Sequence, residues 1–192
     1  MPTPNAAALD FLLTRRSCPA KTLTTPVPDR LELEPILTAA ARTPDHGKLE
    51  PWRFLVLERP ALERIAALIP AHGARLGIEP EKIEKATAQY GDAHLVVAVV
   101  AAPVPSEKIP GIEQTLSAGA VCLSLLNAAL ASGWGANWLT GWASHDPQFC
   151  AEAFALAPDE IIAGLIHIGT ARATPPDRPR PDLGTKVTWV SA

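Results

Sequence analysis

Cysteine is scarce in this chain of 192 residues: Cys18, Cys122 and Cys150 are an odd number at wide spacings. That excludes a tidy disulfide framework and a Cys-x-x-Cys zinc site, and it suits a reducing cytoplasm. A basic excess is missing too. Lys and Arg number 17 against 20 Asp and Glu, for a net charge of −3 and a pI near 5.9. General nucleic-acid binding needs cations that displace counterions from phosphates, so that class of partner is set aside. No basic start precedes the first apolar run, and Asp10 interrupts it, so no secretory signal is expected.

The usual catalytic and phosphate-binding signatures are absent as well. Gly133-x-Gly135 is followed by Asn137-Trp138 rather than a third glycine, and no Gly-x-x-x-x-Gly-Lys-Ser/Thr occurs; Rossmann and P-loop readings therefore fail. No serine lies in a Gly-x-Ser-x-Gly elbow, and Cys150 precedes an acidic segment that disfavours its thiolate. The five histidines do not pair at metal-ligand spacing. Asp45-His46, in a Pro/Gly loop, reads as turn chemistry, while His94 and His167 fall in strand-like runs. No side chain is assigned as catalytic, and no metal is expected.

Hydrophobic residues at 47% and charged residues at 19% supply a core for one domain over residues 1–192. Asn5 caps a helix through Leu13 with Leu9, Leu12 and Leu13 as its apolar face; Asp29 caps a second through Ala41. Trp52–Leu57 and His94–Val100 read as strands, the latter interior. A third helix starts at Pro60 and loosens at Pro70 and Gly73, and Glu79–Tyr90 forms an exposed helix suited to a mobile lid. From Gln114 to His145 there is no Asp, Glu, Lys or Arg. Scattered polar residues, Gly133 and Gly135 argue against a membrane span; the expectation is a helix from Gly111 to Ser132 buried on nearly all sides, which requires a second subunit. Gly133–Thr140 is a turn and strand, Pro147–Phe154 a short helix, and Ile161–Gly169 a buried strand. After a Pro- and Arg-rich arm, Lys186–Val190 has strand chemistry suited to a distant sheet edge, including a partner's.

The positive signals are spread along the chain. Arg15-Arg16-Ser17 follows the first helix and offers two guanidinium forks and a hydroxyl to an anion. Arg42-Thr43-Pro44-Asp45-His46 follows the second helix, and Pro51-Trp52-Arg53-Phe54 opens the first strand. Late in the chain come Gly133-Trp134-Gly135, Trp138-Leu139-Thr140-Gly141 and Gly164-Leu165-Ile166-His167-Ile168-Gly169. In this order and spacing the chain resembles the compact bacterial branch of the nitroreductase family, FMN-dependent NAD(P)H oxidoreductases.

The resemblance implies an α+β fold, a mixed sheet sandwiched by helices, in an intertwined homodimer whose C-terminal arm (171–192) crosses to the partner. It implies that Arg15, Arg16 and Ser17 hold the FMN phosphate and ribityl chain. Arg42 and His46 would reach the same flavin from the other subunit, and Trp138, Leu139 and Thr140 would line its far end. Ala128, Ala129, Leu130, Ala131, Ser132 and Gly133 would meet NADPH or NADH. The implied activity is hydride transfer through FMN to a small electron-poor acceptor. Other readings are a specialised reaction on the same fold, such as dehalogenation or flavin breakdown, and a non-enzymatic flavin or small-ligand binding protein. Two departures stand out. Lys48-Leu49-Glu50-Pro51-Trp52 replaces the family's frequent Asn-x-Gln-Pro-Trp, and Leu139 stands where compact relatives often carry a basic residue.

Overall fold

A computed structural model describes residues 3–191. Helix α1 (Ala6–Thr14) starts where the Asn5 side chain accepts the Ala8 N–H. Strand β1 (Leu23–Thr24) precedes α2 (Arg30–Ala40), whose start is a reciprocal capping box between Asp29 and Glu32. Then come β2 (Trp52–Glu58), α3 (Arg59–Arg75), α4 (Pro80–Gly91) and β3 (Leu95–Ala101). The chain continues through α5 (Gly111–Ala131), β4 (Gly135–Leu139), α6 (Pro147–Phe154) and β5 (Ile161–Ala171).

The sheet runs β4-β5-β3-β2, with β1 pairing the far end of β5. All of these pairings are antiparallel, where a mixed sheet was expected. The cause between β2 and β3 is the α3–α4 hairpin. Two helices carry the chain out and back, so it re-enters the sheet at the end it left; a single crossover helix would have given a parallel pair. Every residue of β3 is buried, each valine contributing about 1.5–3 kcal/mol. One core layer joins the sheet to α3, α4 and α6 through Ile65, Tyr90, Phe149 and Leu165. The other joins it to α2 and α5 through Ile36, Val121, Leu125 and Ile166.

Several expectations are corrected. Pro70 and Gly73 lie inside α3, which continues to Arg75; Gly73 is where Ile83 of α4 packs, since a Cβ there would come within 2.5 Å of it. That packing, with Tyr90 buried at the end of α4, anchors the supposed lid helix against α3. The apolar face of α1 is bare: Leu9, Leu12 and Leu13 are exposed. Likewise α5, long and apolar enough to cross a membrane, is buried on one side only. It turns Val121, Leu125 and Ala129 inward and leaves Ile112, Leu116 and Leu123 outside. Its buried polar residues hold neighbours: Gln114 exchanges two hydrogen bonds with the Val104 backbone, and Ser117 bridges the Trp52 indole and the Pro44 carbonyl. Finally, Lys186–Val190 forms no strand, because a lone strand has no ladder to join; Trp189 is 91% exposed.

Candidate functional site

Helix α1 ends at Thr14, and the next four residues run as an extended strap along β4. The Cys18 N–H donates to the Ala136 carbonyl at 2.9 Å, and the Asn137 amide donates back to the Cys18 carbonyl at 2.6 Å. This stitching sets Arg15-Arg16-Ser17 beside the strand that continues into Trp138, Leu139 and Thr140. Asn137, which the sequence reading passed over, is the fastener. Its only signal was a polar residue inside an otherwise apolar strand.

The two arginines have different surroundings. One guanidinium nitrogen of Arg15, Nη1, is buried with no hydrogen-bond partner among the described residues, and such a group is costly unless an anion meets it. Arg16, only 16% exposed in its side chain, donates to the Pro176 carbonyl and to Asp177 Oδ1 at 3.2 Å. Asp177 also accepts from Arg178 N–H and from Arg180. The Arg178 backbone contact, then Arg16, lowers the Asp177 pKa. The arm thus meets Arg16 through Pro176 and Asp177, which nothing in the Pro/Arg-rich sequence of the tail disclosed.

Side chains alternate along β4. Trp138 lies against Gly164 of β5 and Cys122 of α5, where a Cβ on Gly164 would stand 2.2 Å from the indole nitrogen. Beside it the β3–β5 register slips at Ala163, a bulge of the kind that redirects a strand near a site. Leu139 and Asn137 share the opposite face, with His167 directly across from Asn137. His167 is 3% exposed and has no partner at Nε2 among the described residues, and burial pushes its pKa down to about 4, so the ring is neutral at pH 7. Cys150 is inert as a nucleophile: burial, then Asp146, raises its thiol to about 11.

Ala128–Gly133 forms the end of α5 and the turn into β4. Ala129 is core, while Ala131, Ser132 and Gly133 are exposed. Gly133 has φ 86°, the left-handed conformation that ends a helix and that glycine adopts without penalty.

Arg42 and His46 stand elsewhere. Thr43 bonds Ser124, Pro44 bonds Ser117, and His46 Nδ1 lies 2.7 Å from Glu113 Oε2, so this loop follows the outer flank of α5. At about 100° per residue, Glu113 and Cys122 face roughly opposite ways. Helix α5 therefore separates His46 from Trp138, and one chain does not bring the two groups together. Within the same loop, Lys48 and Glu50 have φ of 54° and 48°, held by Asp45 Oδ1 accepting the Leu49 and Glu50 N–H groups. Asn is more at home in that conformation than Lys, so the Lys48 departure places backbone strain in this loop. Arg53 is structural: it grips Glu160 with two hydrogen bonds of 2.6 and 2.7 Å and lowers the glutamate's pKa.

Known proteins share the sequence and the fold described above. The sequence model of the Nitroreductase family matches residues 12–170. YdjA of Escherichia coli (strain K12), provisionally named an NAD(P)H nitroreductase, is 35% identical over 163 residues, 85% of this chain and 87% of its own. A Haemophilus influenzae protein with the same provisional name is 39% identical over 165 residues, 85% of this chain and 88% of its own. Among solved structures, a provisionally named nitroreductase from Desulfovibrio desulfuricans, in complex with FMN, superposes with a TM-score of 0.74. It is 22% identical and covers 98% of this chain and 99% of its own.

Proposed function

We propose, from the premise that the chain belongs to the Nitroreductase family, that it is an FMN-dependent NAD(P)H oxidoreductase acting as a homodimer. The observation that carries this reading is the buried, partnerless Arg15 Nη1 beside β4. A phosphate is an acceptor such a guanidinium fits, and the relatives' names and the FMN-bound neighbour point the same way. Arg15 and Ser17 would hold the phosphate and ribityl chain, with Arg16 adding charge while it anchors the arm. Trp138, Leu139 and Thr140 would line the far end, and Ala128–Gly133 the nicotinamide approach.

The chemistry FMN supplies when bound is hydride acceptance from NADH or NADPH and its delivery to an electron-poor acceptor such as a nitroaromatic or quinone. The chain's own part is positional and electrostatic. Arg15 and Arg16 bring positive charge to the anionic cofactor, and Trp138, seated over Gly164, gives a rigid apolar boundary. The exposed, small-residue tip at Ala131-Ser132-Gly133 leaves room for donor and acceptor to use one place in turn, which is ping-pong kinetics. Arg42 and His46 complete the site only from a second copy, since α5 stands between them and Trp138 within one chain. The bare leucines of α1 and the outer face of α5 supply the apolar surface for that partner. The unpaired edge of β2 would receive Lys186–Val190 of the other arm.

The test is a visible spectrum of the purified protein before and after anaerobic NADPH or NADH. Yellow protein that bleaches is expected. Yellow protein that does not bleach favours a binding role, and colourless protein that ignores added FMN overturns the reading.

A further inference from the structure

A cavity of about 360 Å³ lies on the face of β4 opposite Trp138, between the turn at Ala20–Thr22, α4 and the ends of β4 and β5. Of the residues assigned above to the flavin, only Leu139 reaches it. Its α4 wall is Lys85, Ala88 and Gln89, continued by Asp92 at the helix C-cap, the helical spacing that puts residues on one face, while Tyr90 points away into the core. Ala20, Ala88 and Leu139 make the body of the cavity apolar, and Lys21 lines it from the turn at Ala20–Thr22.

The charges around the cavity are unequal. Lys21 and Lys85 line the cavity against one acidic residue, Asp92, so its lining carries a net positive charge. The floor adds none, because His167 is held neutral by burial. An apolar pocket with a few convergent polar groups is the usual form of a small-molecule site, and sites span roughly 300–1,000 Å³. This one is at the small end, which suits a ligand of one ring.

We infer that this cavity binds a small carboxylate with an apolar body, a monocyclic acid such as benzoate. The ring lies between Leu139 and Ala88, and the carboxylate is held by Lys21 and Lys85 with the Gln89 amide alongside. The site adjoins the flavin residues through Leu139, so a ligand there borders the reaction centre without occupying the anion grip at Arg15.

Calorimetric titration of the protein as purified with benzoate, and separately with benzyl alcohol, tests this, with flavin content read independently from the visible spectrum. Saturable benzoate binding is expected, at least tenfold tighter than benzyl alcohol. Lys21→Glu/Lys85→Glu, which changes two exposed side chains, should weaken it at least tenfold, and Ala88→Phe, which fills the cavity, should do the same. The visible spectrum should stay unchanged in both variants. Absence of saturable binding, equal affinity in the charge-reversed variant, or displacement of benzoate by added FMN would each overturn the proposal; the last would assign the anion to the flavin's own phosphate grip. A colourless protein leaves this test intact.

Discussion

Arg16 and Asp177, 161 residues apart in sequence, form an ion pair of 3.2 Å. It fastens the C-terminal arm to the same strap from which Arg15 presents an unpartnered guanidinium nitrogen. In the proposed site the two adjacent arginines thus divide their work, Arg15 toward an anion and Arg16 toward the arm.

Replacing each arginine separates those tasks. Arg15→Ala should weaken FMN retention about ten- to a hundredfold, since a charge-assisted hydrogen bond is worth about 1.5–3 kcal/mol. Arg16→Ala should lose less flavin but expose residues 172–180 to faster cutting by proteinase K. Equal flavin loss in both variants, with unchanged cleavage, would remove the division.

Deleting residues 184–192 should weaken the dimer. Trp189 and Val190 are almost fully exposed in the single chain, and large apolar side chains left in water mark a surface awaiting a partner. Sedimentation equilibrium of the truncated and full chains measures the change, and an identical profile would refute the crossing arm.

Gly164→Ala tests the seat of Trp138. The new methyl would fall 2.2 Å from the indole nitrogen and 2.8 Å from the Cys122 sulfur, and overpacking of that kind costs about 1–3 kcal/mol. The melting temperature should drop by several degrees, on the scale of about 2–4 °C per kcal/mol for a chain of this size. Bound-flavin fluorescence should change with it; a shift in neither would mean the indole has free room to move.

Acid should destabilise the protein through His167. Its folded pKa is about 4, below the usual value near 6.5. The unfolded chain therefore binds the proton first, and stability is full above about pH 6.5 and lost as pH falls toward 4, by up to about 3 kcal/mol. Urea unfolding at pH 7, 5.5 and 4.5 measures the slope. His167→Gln should flatten it, and an equal slope in the variant would assign the acid sensitivity elsewhere.

Much of this was legible in the residues themselves. The cap at Asp29, the valine-rich run of β3 and the glycine turn at Gly133 are local signals, and each element formed where its signal stood. Pro70 misled because an intrinsic penalty for proline in a helix was outweighed by α4 packing on Gly73 through Ile83. Of the candidate site, the Arg15-Arg16-Ser17 segment and the Trp138 strand could be named from residue order. Their stitching by Asn137, and the capture of Asp177 by Arg16, join residues 119 and 161 positions apart, beyond the reach of any periodicity.

By itself, then, the sequence determined which segments become helix or strand and which residue types could meet an anion, because propensity, capping and alternation act over a few neighbours. The tertiary structure decided the antiparallel order of the sheet, the pairing of Arg16 with the arm, and the placing of α5 between His46 and Trp138. Those follow from where distant segments pack, and packing is set by the shape and burial of the whole chain.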